Sequence, residues 1–209
     1  ADFAPRNVER LQSFLHVAEA TGRFLVIQPK DAYLLQALHY ADPINMPPPL
    51  AQRRLLLYDD PKSAPRPWEK ALRQTWEHKT ISAAGVSANP GDFILCFSLW
   101  DANDLLDLEG VSGGIYIYSN SRAYDDEQQA DLERLRNWVR HIGLRLYGDP
   151  DDCDSPLLHA SGHACGPQLH QFVMRVRPKC LVPVHTESPL WWLEQLKDSD
   201  IIVQPPTIG

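Results

Sequence analysis

Apolar positions along the chain follow two rhythms, stretches of helical period and short uninterrupted runs. Val8, Leu11, Phe14, Leu15 and Ala18 recur at helical spacing and Gly22 is placed to stop them, which predicts a helix over 7–20. The run FLVI at 24–27, closed by Pro29, predicts a short buried strand. A second helix is predicted over 31–38 with Asp31 as its N-cap. The proline-rich stretches 43–49 and 61–67 exclude regular helix and flank a predicted strand over 54–58. A helix over 68–79, a turn at 89–92, an apolar strand over 93–97 and a helix over 101–108 follow. After Gly113 and Gly114 come a strand over 115–118 and an amphipathic helix over 125–142. That helix has acids in its first turn, basic residues towards its end, an apolar face of Leu132, Leu135, Val139 and Ile142, and Gly143 as its stop. The last quarter reads as a loop from 156, a helix over 167–176, a strand over 180–184, a short Trp-rich helix over 189–196 and a last strand over 201–203. Strand alternating with helix through short turns predicts a layered α/β fold.

Composition narrows the functional classes. The chain has 209 residues, 44 % apolar and 22 % charged, enough for one large domain or two small ones. No run approaches the roughly 18 uninterrupted apolar residues of a membrane span, and residues 1–6 lack the basic head and apolar stretch of a secretory signal. Cys96, Cys153, Cys165 and Cys180 form no CxxC pair, so isolated thiols in a reducing, cytoplasmic setting are expected. A net charge of −7 and a pI near 5.6 argue against a broad basic surface for nucleic acid, although a local basic groove remains compatible. Arg6, Arg10, Lys30 and Arg122 are the candidate phosphate contacts, with solvated surface charge as the commoner role for each.

Three of the histidines in the tail stand in contexts that suggest chemistry. His159 and His163 bracket Ala160, Ser161 and Gly162, and Gly162 permits a tight backbone and close approach to a ligand. The segment opens onto a predicted helix, whose first N–H groups and positive dipole end favour phosphate. Ser161 adds a hydroxyl donor, and two imidazoles there can bind phosphate oxygens or move a proton. His185 stands at the end of a predicted strand, where a neutral imidazole suits a transition metal. His16, His39, His78 and His141 are isolated and read as structural or surface residues.

The stretch HASGHA…LHQFVMRVRPKCLVPVHTE resembles the C-terminal signature of β-CASP nucleases of the metallo-β-lactamase superfamily, such as ribonuclease J and the endonuclease that cleaves pre-mRNA 3′ ends. In that family a His-x-Ser-Gly-His-Ala loop precedes a helix, an Arg/Lys-Pro-Lys step and a strand ending Pro-Val-His-Gly-Glu. Arg177, Pro178 and Lys179 match, as do Pro183, Val184 and His185, and the 22-residue separation of His163 from His185 agrees. Thr186 departs from the family's Gly, where Thr tolerates a positive φ poorly. The resemblance implies an α/β fold: a Rossmann-like β-CASP domain over 1–154, then the C-terminal part of a metallo-β-lactamase αββα fold over 155–209. It also implies roles. His185 would bind one of two catalytic metals, zinc or alternatively manganese. His163 would act as the acid beside the scissile phosphate and share phosphate binding with His159 and Ser161. Glu187 would orient metal-bound histidine.

A two-metal centre needs about six or seven ligands, and the family draws most of them from an HxHxDH motif that these 209 residues do not contain. The expectation is a portion of an RNA- or DNA-processing nuclease, RNA ahead of DNA as substrate, that is separate from its N-terminal metal-binding half. As it stands it would be inactive and without bound zinc. Apolar residues such as Leu157, Leu158, Leu181, Trp191 and Trp192 are then expected to be partly exposed, or buried in a homo-oligomer. The alternative is a non-catalytic scaffold or partner subunit of the same fold. A Rossmann-like nucleotide-binding protein is a third reading, disfavoured because no GxGxxG or Walker loop follows any predicted strand.

Overall fold

The Asn7 side chain accepts the Arg10 N–H at 2.9 Å and so opens the first helix. In the computed structural model, which describes residues 1–4, 6–59, 64–159, 164–184, 186 and 188–205, this helix (α1) spans Val8–Ala20 and buries Leu11, Phe14 and Ala18. Strand β1, Phe24–Ile27, follows where the apolar run predicts it. Pro29 then starts a helix as well as ending the strand: Gln28 is the N-cap and Pro29 opens α2, Pro29–Ala41, since the first helical N–H has no acceptor within the helix and its absence costs nothing. Asp31, the expected N-cap, is therefore the third helical residue, and its carboxylate reaches back to accept the Gln28 N–H at 3.3 Å.

The chain continues through β2 (Leu55–Tyr58), α3 (Pro67–Thr75), β3 (Thr80–Ile81), α4 (Ala83–Ala88) and β4 (Phe93–Leu95). A nine-residue 3-10 helix, Leu99–Asp107, replaces the α-helix expected over 101–108. β5 (Ile115–Ile117), α5 (Asp126–Ile142) and β6 (Arg145–Tyr147) follow. Asp125 caps α5 by accepting the Gln128 N–H at 2.7 Å, and Gly143 ends it in the left-handed region at φ +80°. The helix expected over 68–79 is divided, with a 3-10 turn at Glu77–Lys79 after α3. β3, α4 and β6 have no counterpart in the apolar pattern, since two- and three-residue strands and a six-residue helix give periodicity too little to act on.

Four strands form a parallel sheet in the order β3-β2-β1-β4, with Leu25 beside both Leu55 and Ile94. β1 is wholly internal: Leu25, Val26 and Ile27 are fully buried. Its side chains alternate between two cores, as period two requires. Leu25 and Ile27 join Phe14, Ala32, Leu72 and Trp76 from α1 to α3, while Val26 joins Tyr58, Val86, Phe97 and Leu105 on the other face. Helices thus cover both faces, which is why these strands read as continuous apolar runs. β5 and β6 form a second parallel pair under α5, packed through Tyr116, Leu132, Leu135 and Val139.

The chain divides into two units, Ala1–His159 and Ala160–Gly209. In the second, α6 (Gly166–Val176), β7 (Cys180–Leu181), α7 (Trp191–Gln195) and β8 (Ile202–Val203) surround a small core of Val173, Trp192 and Leu196. β7 and β8 pair in parallel. The fold is mixed α/β with parallel sheets. No helix among the described residues is long and apolar enough to cross a membrane.

Burial pushes the Asp31 carboxyl up to about 6, against a weaker opposing pull from Lys30. A raised carboxyl contributes stability below its unfolded value near 4, and that contribution is lost as pH rises through about 6. Asp31→Asn keeps an acceptor for the Gln28 N–H without a charge to desolvate. It is expected to remove this loss between pH 4 and pH 7 and to gain roughly 2–3 kcal/mol at pH 8, as measured by urea unfolding across pH. At Gly148, φ is +90° and an added Cβ would run into the Tyr118 carbonyl. Gly148→Ala is expected to cost about 2–4 kcal/mol in the same assay.

Candidate phosphate-binding tail

The path to the histidine-rich tail is fixed by one arginine. Arg136 on α5 grips Asp149 through two bonds, Nε to Oδ2 at 2.9 Å and Nη2 to Oδ1 at 2.5 Å. The same guanidinium reaches Asp151 at 2.8 Å and also pairs with Glu133. Such a planar fork holds direction as well as charge. Arg136 keeps the Asp149 carboxyl below the usual carboxylate range, and these carboxylates in turn raise the guanidinium. Beyond it, the Ser155 hydroxyl accepts the Gly148 N–H at 2.8 Å, and Arg10 donates from Nη1 to the Leu158 carbonyl at 2.6 Å. These ties hold both sides of the segment that delivers His159.

His159 is half-buried, and its Nδ1 is buried with no hydrogen-bond partner among the described residues. An unsatisfied buried ring nitrogen costs about 1–3 kcal/mol, so this atom is suited to meet a ligand. Ser161, His163, His185 and Glu187 lie outside the described residues. Of the residues expected at the site, only His159 therefore has a described position.

The elements flanking those residues are described. α6 begins at Gly166, one residue earlier than expected, with Pro167 in its first turn; the Cys165 N–H donates to Gln168 Oε1 at 3.0 Å. The helix ends at Arg177 in the left-handed region, φ +50°, its N–H bonded to the Val173 carbonyl at 2.8 Å, and Pro178 prevents continuation. β7 is two residues long, shorter than the expected 180–184, because only Cys180 and Leu181 pair with β8. Val182, Pro183 and Val184 run on without a ladder towards His185. Thr186 is exposed and its Oγ1 accepts the Ser188 N–H at 3.2 Å.

Apolar exposure is extensive in the second unit and in the last residues of the first, and it differs from expectation in detail. Trp192 is core rather than surface, packed edge-on against Trp191 with ring centres 4.9 Å apart. Leu158, Leu181 and Trp191 are half-buried, and Leu157 is exposed. Phe172, Val176, Val184, Leu190 and Ile202 are also exposed, and nothing in the apolar pattern singles them out. A 50-residue unit with two two-residue strands has too little interior to enclose them.

The other candidate residues separate cleanly by their partners. Lys30 pairs with Asp101 at 3.0 Å and Arg10 is tied to Leu158, so neither presents a bare charge; Arg6 and Arg122 are exposed. His39 is structural, its Nδ1 2.7 Å from the Met46 carbonyl. His78 lies 3.1 Å from Glu77, His141 packs edge-on to Trp138 and His16 is exposed. All four cysteines are free thiols, and burial pushes Cys96 up to about 12, which excludes it as a nucleophile. A polar recess of about 380 Å³, unforeseen from the sequence, lies at the carboxyl end of β1 and is lined by Gln28, Lys30, Arg66, Trp68 and Asp101. Ends of parallel strands commonly form such recesses, and nothing in the spacing of these residues marks it.

Among the described residues, Asp152, Cys153 and Asp154 are the one cluster with metal-ligand chemistry, their ligand atoms within 4.8 Å of one another. All three are exposed, and an Asp152 carboxylate oxygen already accepts the Asp154 N–H at 3.0 Å in a local turn. This open turn does not fit a zinc centre, which takes four ligands in a closed structural site, or three plus water in a catalytic one, set by a supporting shell.

No curated protein matches the chain. Residues 155–196, which run from Ser155 through α6 and β7 to Leu196 at the end of α7, match the RMMBL family model, described as the Zn-dependent metallo-hydrolase RNA specificity domain.

Proposed function

We propose that this chain is the RNA-gripping portion of a zinc-dependent phosphodiester hydrolase of the metallo-β-lactamase superfamily. On this reading, 1–154 is a β-CASP-type domain and 155–209 is the C-terminal segment of the catalytic domain. The observation that carries it is the coincidence of the RNA-specificity match at 155–196 with one ordered set of residues. That set is His159, Ser161 and His163 before a helix, Arg177-Pro178-Lys179 at its end, and His185 after the next strand.

His159 has a specific task in this reading. With the proton on Nδ1, its buried, unpartnered nitrogen donates to a phosphate oxygen of the RNA backbone. Ser161 donates a second bond from its hydroxyl. His163, protonated, stands beside the scissile phosphate and gives its proton to the leaving oxygen. His185 would ligate zinc and Glu187 would orient it; zinc, when bound, supplies an activated water. The other ligands would come from a separate metal-binding half, so the isolated chain binds RNA without cutting it.

Binding of a fluorescein-labelled single-stranded RNA 12-mer, followed by anisotropy, tests the reading. Micromolar affinity is expected, with His159→Ala and His163→Ala each weakening it about tenfold, on the order of one charge-assisted hydrogen bond. The matching DNA 12-mer is expected to bind more weakly. Affinity untouched by both substitutions would sink the assignment of this loop to phosphate. Zinc content after loading and desalting provides a second test: far less than one ion per chain is expected, whereas about two per chain would show that this chain completes a metal centre by itself.

A further inference from the structure

Of the six tryptophans, Trp100 alone is exposed, at 70 %. It stands on the 3-10 helix that follows β4. An indole this open adds little to the core, yet it is held in place. The Arg134 guanidinium lies 5.9 Å from the ring centre, and Asp131 fixes that guanidinium through a bond of 2.8 Å. A cation at this range is attracted to an aromatic face, so the ring is positioned before anything binds.

Trp100 borders a recess of about 270 Å³ within the first unit. The chain leaving β4 over 98–100 and the chain leaving β5 over 118–121 form two of its sides, and α5 forms the third. Loops leaving the carboxyl ends of parallel strands commonly enclose such a crevice. Leu132 and Leu135, both buried, give it an apolar floor. Arg134 stands outside the recess, so it supports the indole without filling the space.

Three neutral polar side chains on the recess keep hydrogen-bonding capacity. Asn120 spends one amide N–H on Asp2 at 2.9 Å, and Gln128 Oε1 accepts the Tyr124 N–H at 3.4 Å. Asn120 Oδ1, the Gln128 Nε2 protons and the Ser121 hydroxyl have no partner among the described residues. Charge recognition is absent by contrast. No described lysine or arginine lines the recess, and both of its carboxylates are satisfied, Asp131 by Arg134 and Asp2 by Tyr116 and Asn120. Neither a phosphate nor a cation finds a counter-charge there.

The recess thus offers an aromatic face, an apolar floor and a mixed set of neutral donors and acceptors. A nucleobase matches all three, being planar and apolar on its faces with donors and acceptors along its edge. Pockets for drug-sized ligands begin at roughly 300 Å³, so this smaller space suits a single base. We propose that the recess holds one unpaired base of single-stranded RNA, stacked on Trp100 with its edge bonded to Asn120, Ser121 and Gln128. The inference rests on the reading of this chain as RNA-binding and adds a grip on the base, which phosphate contacts lack.

The test measures, on the full chain, the anisotropy of two fluorescein-labelled strands, an oligoadenylate RNA 12-mer and an abasic ribose-phosphate 12-mer. Trp100→Ala is expected to weaken the adenylate strand about tenfold and to leave the abasic strand unchanged. Trp100→Phe keeps a ring and is expected to retain most of the affinity. Tyr40→Ala, which removes a ring 83 % exposed outside the recess, is expected to change neither strand. Since Trp100 is exposed, its variants are expected to melt with the unaltered chain. His159→Ala acts on phosphate and is expected to weaken both strands alike, so it decides the phosphate assignment separately. Equal loss for both strands on Trp100→Ala, or no loss for either, would overturn the base recess alone. Adenosine binding as tightly as the adenylate strand would assign the recess to a free nucleoside and overturn it too. Failure of the unaltered chain to bind either strand would overturn both readings.

Discussion

The first unit depends on the hydrogen bonding of Asp2. Its backbone bridges from Ile117 to Ser119, its carboxylate accepts the Tyr116 hydroxyl at 2.8 Å and the Asn120 amide at 2.9 Å, and the Ser119 hydroxyl returns to its carbonyl. Ala1 meanwhile bonds Phe97 and Leu95. Two residues thus tie the four-stranded sheet to the β5–β6 pair. Burial raises the Asp2 carboxyl, and the Tyr116 and Asn120 bonds pull it back. A polar group this deep is tolerated only because its lone pairs are filled. The position of α5 over β5, and so of Arg136 within it, follows from where this junction holds the second sheet.

Arg136 extends the consequence towards the tail. The helix that carries it is anchored at both ends by its own sequence, Asp125 at the start and Gly143 at the stop. Leu132, Leu135 and Val139 point into the β5–β6 core. Arg136 therefore emerges on the face that meets the chain leaving β6, and the Asp149 fork sets the direction in which residues 150–159 depart. The backbone tie from Arg10 to Leu158 supplies the second fixed point. The segment leading to His159 is thus held at two points by an ion-pair fork and a backbone tie.

The fold is legible in the sequence wherever an element is long or wholly apolar. β1 and α5 lie where their patterns place them, because FLVI has both faces covered and Leu132, Leu135 and Val139 share one helical face. Expectation and structure part where one residue type serves two purposes. Pro29 reads as a strand terminator, yet it is also a helix starter, which shifts the N-cap from Asp31 to Gln28. Short strands such as Thr80–Ile81 and Arg145–Tyr147 take their identity from neighbours in the sheet, which local pattern cannot supply. Trp192 reads with the exposed apolar residues of the tail; only the pairing of α7 with α6 and β7 makes it core. In the candidate site, the residue types and spacing are legible, whereas the unpartnered Nδ1 of His159 is visible only from the packing around it.

The charge balance bears on how such a chain can hold RNA. With a net charge of −7 it cannot rely on long-range attraction to phosphate. Acidic side chains such as Asp31, Glu69, Asp101 and Asp126 lie in the first turns of its helices, where helix dipoles would otherwise attract an anion. The beginning of α6 differs: no acidic residue occupies its first turn, and Gly166, Pro167 and Gln168 leave it uncharged. Among the described α-helices of eight or more residues, α6 is thus the one whose first turn carries no carboxylate, and it directly follows His159, Ser161 and His163 in sequence. On the proposed reading, phosphate would be held there by directed hydrogen bonds, which salt screens less than it does the pull of a basic surface.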